Sequence, residues 1–143
     1  MKKRISGLLI LIIIGIICGI WLDKSGNLVH PKSLVREVDD FLLHIRIEEA
    51  EEGIKVLRSI QYVGEGEVEI IHQTPLVSVA IEEDHSFGGK TVSKKMKQGA
   101  IYHQEEALLP TQKKGISELS IHAKFICDNE EMDIKHIEEL EIR

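Results

Sequence analysis

Two patterns of apolar residues divide the chain. From Ile5 to Leu22 the sequence ISGLLILIIIGIICGIWL runs for 18 residues without a charge. That length lies within the roughly 17–25 residues that cross a hydrocarbon core. An isolated segment in lipid satisfies its own backbone groups only as a helix. Residues 5–22 therefore predict a single transmembrane helix in contact with the lipid bilayer, with Trp21 at the headgroup level. Lys2, Lys3 and Arg4 precede the span, while Asp23 and Lys24 follow it and nearly cancel. The positive-inside bias then puts residues 1–4 in the cytoplasm and residues 23–143 outside the cell membrane.

Other leaders share this opening and fit it less well. A cleaved signal peptide has a shorter apolar core and a small-x-small cleavage site, which Trp21-Leu22-Asp23-Lys24 does not offer. A lipid-attachment signal places a small residue before its cysteine. Here Ile17 precedes Cys18, which lies deep in the apolar run and reads as a buried membrane thiol. A pilin-like leader carries a glutamate five residues past its cleavage site; counted from Gly7, that position is Ile12. The expectation is an uncleaved signal-anchor. Gly15 and Gly19, four apart, form one small-xxx-small pair of the kind that lets membrane helices approach closely.

Beyond the span the pattern changes. Residues 23–41 read as a juxtamembrane linker and short helix. DKSGNLVHPK is polar and turn-rich, and Leu34, Val38, Phe41, Leu42 and Ile45 then fall at helical spacing, with Ser33 as N-cap. Leu43, Ile45 and Ile47 also alternate with His44, Arg46 and Glu48. A strand is therefore expected at 42–48, opening an extracytoplasmic β-rich domain over 42–143. Past Gly53 the period is two: Ile54, Val56, Ile60 and Tyr62 share one face, ended by Gly64-Glu65-Gly66. Val68, Ile70 and His72 form the next run, and Val77, Val79 and Ile81 the one after Gln73-Thr74-Pro75. These two runs predict a hairpin. Short edge strands are expected at 90–96 and 100–103, loops at 84–89 and 108–115, and a strand through Leu119, Ile121, Ala123, Phe125 and Cys127. A turn follows at 128–131, and residues 132–142 fit either a strand or a helix.

Seven or eight short strands separated by turn signals predict a mainly-β domain, an antiparallel immunoglobulin-like β-sandwich. The Cys…Trp…Cys signature of true immunoglobulin domains is absent. A small barrel or an α+β domain is the other arrangement the pattern admits.

Charge sharpens the picture once the chain is divided at the membrane. The whole chain carries a formal charge of −6, but residues beyond the anchor hold 15 basic and all 24 acidic residues, a net of −9. A field of that sign repels nucleic acid and anionic headgroups. It suits a basic partner or loosely held divalent cations, or simply a solvated surface. The two cysteines, Cys18 and Cys127, fall on either side of the membrane boundary, so the exported part forms no internal disulfide.

The remaining chemistry is sparse. The seven histidines, at positions 30, 44, 72, 85, 103, 122 and 136, include no His-x-His, no i,i+4 helical pair and no His-Glu-x-x-His. His72 falls on an apolar strand face, where a histidine bonded to backbone is expected. His122 and Cys127 are an odd number of residues apart, which puts them on opposite faces of one strand. Cys127 continues the apolar face and reads as a small core residue. Gly64 and Gly66 read as a turn and not a phosphate cradle. The acidic clusters at 48–52, 82–84 and 128–131 lack the spacing of a calcium loop. No catalytic, cofactor-binding or metal-ligating residue is singled out, and no cofactor is implied. The expectation is a membrane-anchored, non-enzymatic interaction or accessory module of the cell envelope, with a protein partner and no nucleic acid. The alternative is a metal-binding or enzymatic domain whose site is assembled from dispersed histidines and carboxylates.

Overall fold

The structure, a computed structural model, describes residues 29–82, 85–110 and 112–143. The expected membrane helix 5–22, the cytoplasmic residues 1–4 and linker residues 23–28 lie outside the described residues. Among the described residues, no helix is long and apolar enough to cross a membrane.

Strands dominate the described residues, and every pairing is antiparallel. They are β1 (Lys32–Val38), β2 (Phe41–Ala50), β3 (Gly53–Tyr62), β4 (Glu67–Gln73), β5 (Val77–Ile81), β6 (Thr91–Lys97), β7 (Ile101–His103), β8 (Ala107–Pro110), β9 (Gly115–Cys127) and β10 (Glu130–Ile142). One sheet runs β1-β2-β3, with β7 and β8 sharing the far edge of β3. The other runs β10-β9-β4-β6, with β5 also paired to β9. The architecture is that of a mainly-β antiparallel domain, consistent with a β-sandwich.

Period-two patterning explains both layers. Phe41, Leu43, Ile45 and Ile47 of β2 are buried, as are Leu119, Ile121, Ala123 and Phe125 of β9. Their faces meet: the Phe41 ring lies edge-on to Phe125 with centroids 4.9 Å apart, and tilts against Tyr62 at 5.4 Å. Such aromatic contacts add about 0.5–1.5 kcal/mol each beyond the area they bury. Asp128 and Asn129 both adopt positive φ, at 51° and 64°. That is the local twist a two-residue hairpin needs, and it sets the long β9–β10 register from Glu130 opposite Cys127 to Ile142 opposite Gly115.

Three expectations need correction. The short helix expected within 23–41 is replaced by strand β1, paired with β2 from Lys32 opposite Ile47 to Val38 opposite Phe41. The sheet therefore begins ahead of the boundary expected at 42. Leu34 and Val38 are four apart, a spacing that satisfies a two-residue period as well as a helical one. The two-residue turn at Asp39-Asp40 then shifts the buried set from even to odd positions, which imitates a helical 4,3 pattern across two strands.

The expected hairpin between residues 68–72 and 77–81 does not form. β4 and β5 both pair with β9, Ile71 opposite Ile126 and Val77 opposite Ala123. The chain crosses Thr74-Pro75, a cis peptide, and continues along the same neighbour; the Lys124 amide donates to Leu76 O at 3.1 Å in passing. The thirteen-residue β9 is long enough to accept both strands, and β4 takes β6 as its second neighbour. Within the stretch read as a loop at 108–115, Leu108 to Pro110 belong to β8. The open question at 132–142 resolves as strand β10.

Candidate functional site: an apolar cleft where the sheet changes partner

The change of partner along β9 leaves a gap in the outer face of the β10-β9-β4-β6 sheet. Alternation would place polar residues on this face. The doublets Ile70-Ile71 and Phe125-Ile126 break it, burying Ile70 and Phe125 while leaving Ile71 and Ile126 40% and 44% exposed. These two isoleucines face each other in register. Phe87, from the β5–β6 loop, closes the third side, and the resulting cleft holds about 260 Å³. Thr91 and Gln73 lie on one rim, Lys124 and Glu131 on the other, and the latter two are ion-paired at 3.1 Å.

The loop that brings Phe87 is tied down by backbone. The Thr74 amide donates to Lys90 O at 2.9 Å, and the Gly89 amide donates to Thr74 O at 3.1 Å. A Cβ at Gly89 would lie 2.6 Å from Thr74 O and 2.8 Å from Thr74 Cβ, so only glycine allows this approach. Under the cleft, His72 is 4% exposed. A carbonyl only accepts, so His72 Nδ1–H donates to Gln73 O at 3.0 Å, while Nε2 pairs with the Tyr102 hydroxyl at 3.1 Å. β4 and β7 belong to opposite sheets, so this contact ties the two layers beneath the site.

Beside the cleft the same face carries a histidine pair. His85 lies between the hydroxyls of Ser78 and Ser120, 2.8 Å from each. Its ring stands edge-on to His122 at 5.5 Å, and Phe87 completes a cluster of three rings, 4.9 Å from His122 and 6.4 Å from His85. Asp133 serves His122 at 2.6 Å. The structure thus joins two histidines that sequence spacing gave no reason to associate. Among the described residues, no group of three or more His, Cys, Asp or Glu side chains is placed to hold a metal. His136 lines the same shallow depression as this pair and bonds Glu138 at 3.0 Å, whereas His44, on the other sheet, bonds Gln61 at 2.9 Å.

His122 lies on the outer face of β9, and Cys127 on the opposite, core-facing side. Burial, then the neighbouring Asp128 and Asp40, push the Cys127 thiol up; that disfavours the thiolate a nucleophile needs. Arg58 on β3 donates from Nη2 to Glu105 O at 3.2 Å, while its Nε is buried without a partner among the described residues. Its burial lowers the guanidinium from its ordinary value, with Glu105 opposing.

No protein-family model matches the chain. No curated protein matches it. Among solved structures, the GAE domain of GGA2p from Saccharomyces cerevisiae aligns over 78% of this chain and 100% of that one, at 8% identity and a TM-score of 0.46. At that identity and score the likeness identifies no family and assigns no activity.

Proposed function

We propose that this chain is a single-pass membrane protein whose acidic β-domain, an immunoglobulin-like sandwich, stands outside the cell membrane as a non-catalytic interaction or accessory module of the envelope. Helix 5–22 localises it, and the cleft between Ile71, Phe87 and Ile126 recognises a protein partner. The observation that carries the reading is the cleft itself: apolar side chains gathered around a concave gap in the sheet face, where Ile71 faces Ile126, mark a contact site. Its volume of about 260 Å³ falls below the roughly 300–1,000 Å³ of pockets that enclose a small ligand. It suits one or two side chains of another protein.

Two measurements test this. An Arg143→Cys variant, with Cys18 and Cys127 replaced by serine, is labelled in intact cells by a membrane-impermeant maleimide if the domain is outside. Labelling only after lysis contradicts that location. A partner purified with the wild-type chain in detergent is lost on Ile126→Asp and retained on Ile137→Asp, which alters an exposed isoleucine elsewhere on the sheet. Equal retention by both variants removes the cleft from the account.

One observation favours a second reading, a hydrolytic or metal-dependent site. It is the placement of His85 between two serine hydroxyls beside the His122–Asp133 pair. A full chain that is metal-free, melts unchanged with zinc or calcium and hydrolyses no activated ester rules that reading out.

A further inference from the structure

The cleft has a lysine-rich margin. Thr91, Ser93, Lys95 and Lys97 alternate on the outer face of β6, so Thr91 at the cleft leads directly to two lysines. Lys90 precedes them, anchored by its carbonyl to Thr74, and Lys94 on the other face lies 5.3 Å from the centre of the Tyr102 ring. Residues 90–97 hold four lysines and no acid, in a domain that is otherwise strongly acidic. In the register, Glu69 faces Lys95 and Glu67 faces Lys97. Glu69, however, accepts a hydrogen bond from Ser93. Among the described residues Lys90, Lys95 and Lys97 make no ion pair. Lys124 on the opposite rim is already engaged by Glu131.

Net charge alone favours a basic partner. Screening in physiological salt acts within about 8–10 Å, so what matters to a bound segment is the charge beside it. Lys95 lies four residues, about 13 Å along the strand, from Thr91. β6 is the edge of its sheet, paired only with β4 among the described residues. Lysines at an edge also discourage indiscriminate strand addition. That role needs no apolar cleft beside them; recognition needs both.

We infer that the cleft and the β6 margin together bind an extended acidic segment of a partner protein. The segment seats one apolar side chain between Ile71, Phe87 and Ile126 and lays carboxylates against Lys90, Lys95 and Lys97. This rests on the proposed role of the cleft and adds the chemistry of its occupant.

The test uses the full chain in nanodiscs and three fluorescent peptides of equal length. One has a central leucine flanked by glutamates, the second the same leucine flanked by lysines, and the third the glutamates around a central alanine. The acidic leucine peptide binds at least about tenfold more tightly than either control, and salt weakens it, as screening requires. Lys95→Glu with Lys97→Glu reverses the preference between the two leucine peptides, and circular dichroism confirms that the variant stays folded. If both leucine peptides bind equally and Ile126→Asp abolishes both, the charge inference is overturned while the cleft stands. If the alanine peptide binds as well as the acidic leucine peptide, or no peptide binds, the inference fails outright.

Discussion

Removing one oxygen atom beneath the cleft should loosen the join between the two sheets. Tyr102→Phe keeps the ring that faces His72 at 5.6 Å and takes away only the hydroxyl that pairs with Nε2. His72 is buried, so this nitrogen is left without a protein partner. An unsatisfied buried polar group costs about 1–3 kcal/mol. Tyr102 is only partly buried, which lets water reach part of the gap, so the lower half of the range, about 1–2 kcal/mol, is expected. For a domain of this size, that lowers the melting temperature by about 4–8 °C. Urea unfolding of the full chain in detergent, followed by far-UV circular dichroism, reads the loss. A second variant separates the hydrogen bond from packing. His72→Leu combined with Tyr102→Phe removes both partners and should be no less stable than Tyr102→Phe alone, because no orphaned ring nitrogen remains. Unchanged stability in Tyr102→Phe would refute the reasoning, since it would mean that water serves His72 as well as the hydroxyl does.

Other consequences are as specific. Gly89→Ala forces a Cβ against the Thr74 carbonyl; faster amide exchange over residues 85–90 and weaker peptide binding should follow, and wild-type exchange there would count against the tied-down loop. In a Cys18→Ser chain, Cys127 should react with iodoacetamide more slowly at pH 8 than a free cysteine does, because burial and Asp128 raise its thiol; a rate equal to or above that of glutathione contradicts this. The Glu48 carboxyl is held below its ordinary value, first by the hydrogen bond from Lys55, with Arg46 adding to it. A depressed carboxylate contributes stability above its unfolded pKa and loses it as pH falls through the folded one. Lys55→Met should therefore move the Glu48 titration, followed by NMR, up toward 4.5; an unmoved titration removes Lys55 as the cause.

Much of the architecture was legible because alternation in β2, β3 and β9 directly records which side of each strand is buried. What escaped was decided by neighbours. Leu34 and Val38 fit two periods at once, and only pairing with β2 makes them strand residues. The runs on either side of Pro75 look like a hairpin until the length of β9 is considered, and sequence does not say which strand lies alongside. The walls of the cleft come from β4, the β5–β6 loop and β9, with Thr91 of β6 and Glu131 of β10 at its rims, segments that only the fold brings together. Its signal was nonetheless present: the doublets Ile70-Ile71 and Phe125-Ile126 each require one isoleucine to face outward. His72 was placed correctly from its parity alone, whereas its Tyr102 partner on the other sheet could not be read from spacing.

Recognition at the cleft requires that Ile126 touch a partner protein in the cell. A photo-crosslinking amino acid placed there, in the full chain in intact cells, should give one discrete protein adduct. The same substitution at Ile137, which is 61% exposed on the same sheet, should give none. The adduct should disappear when Ile71→Asp is added. Adducts of equal yield from both positions, or none from Ile126, would contradict a recognition site at the cleft.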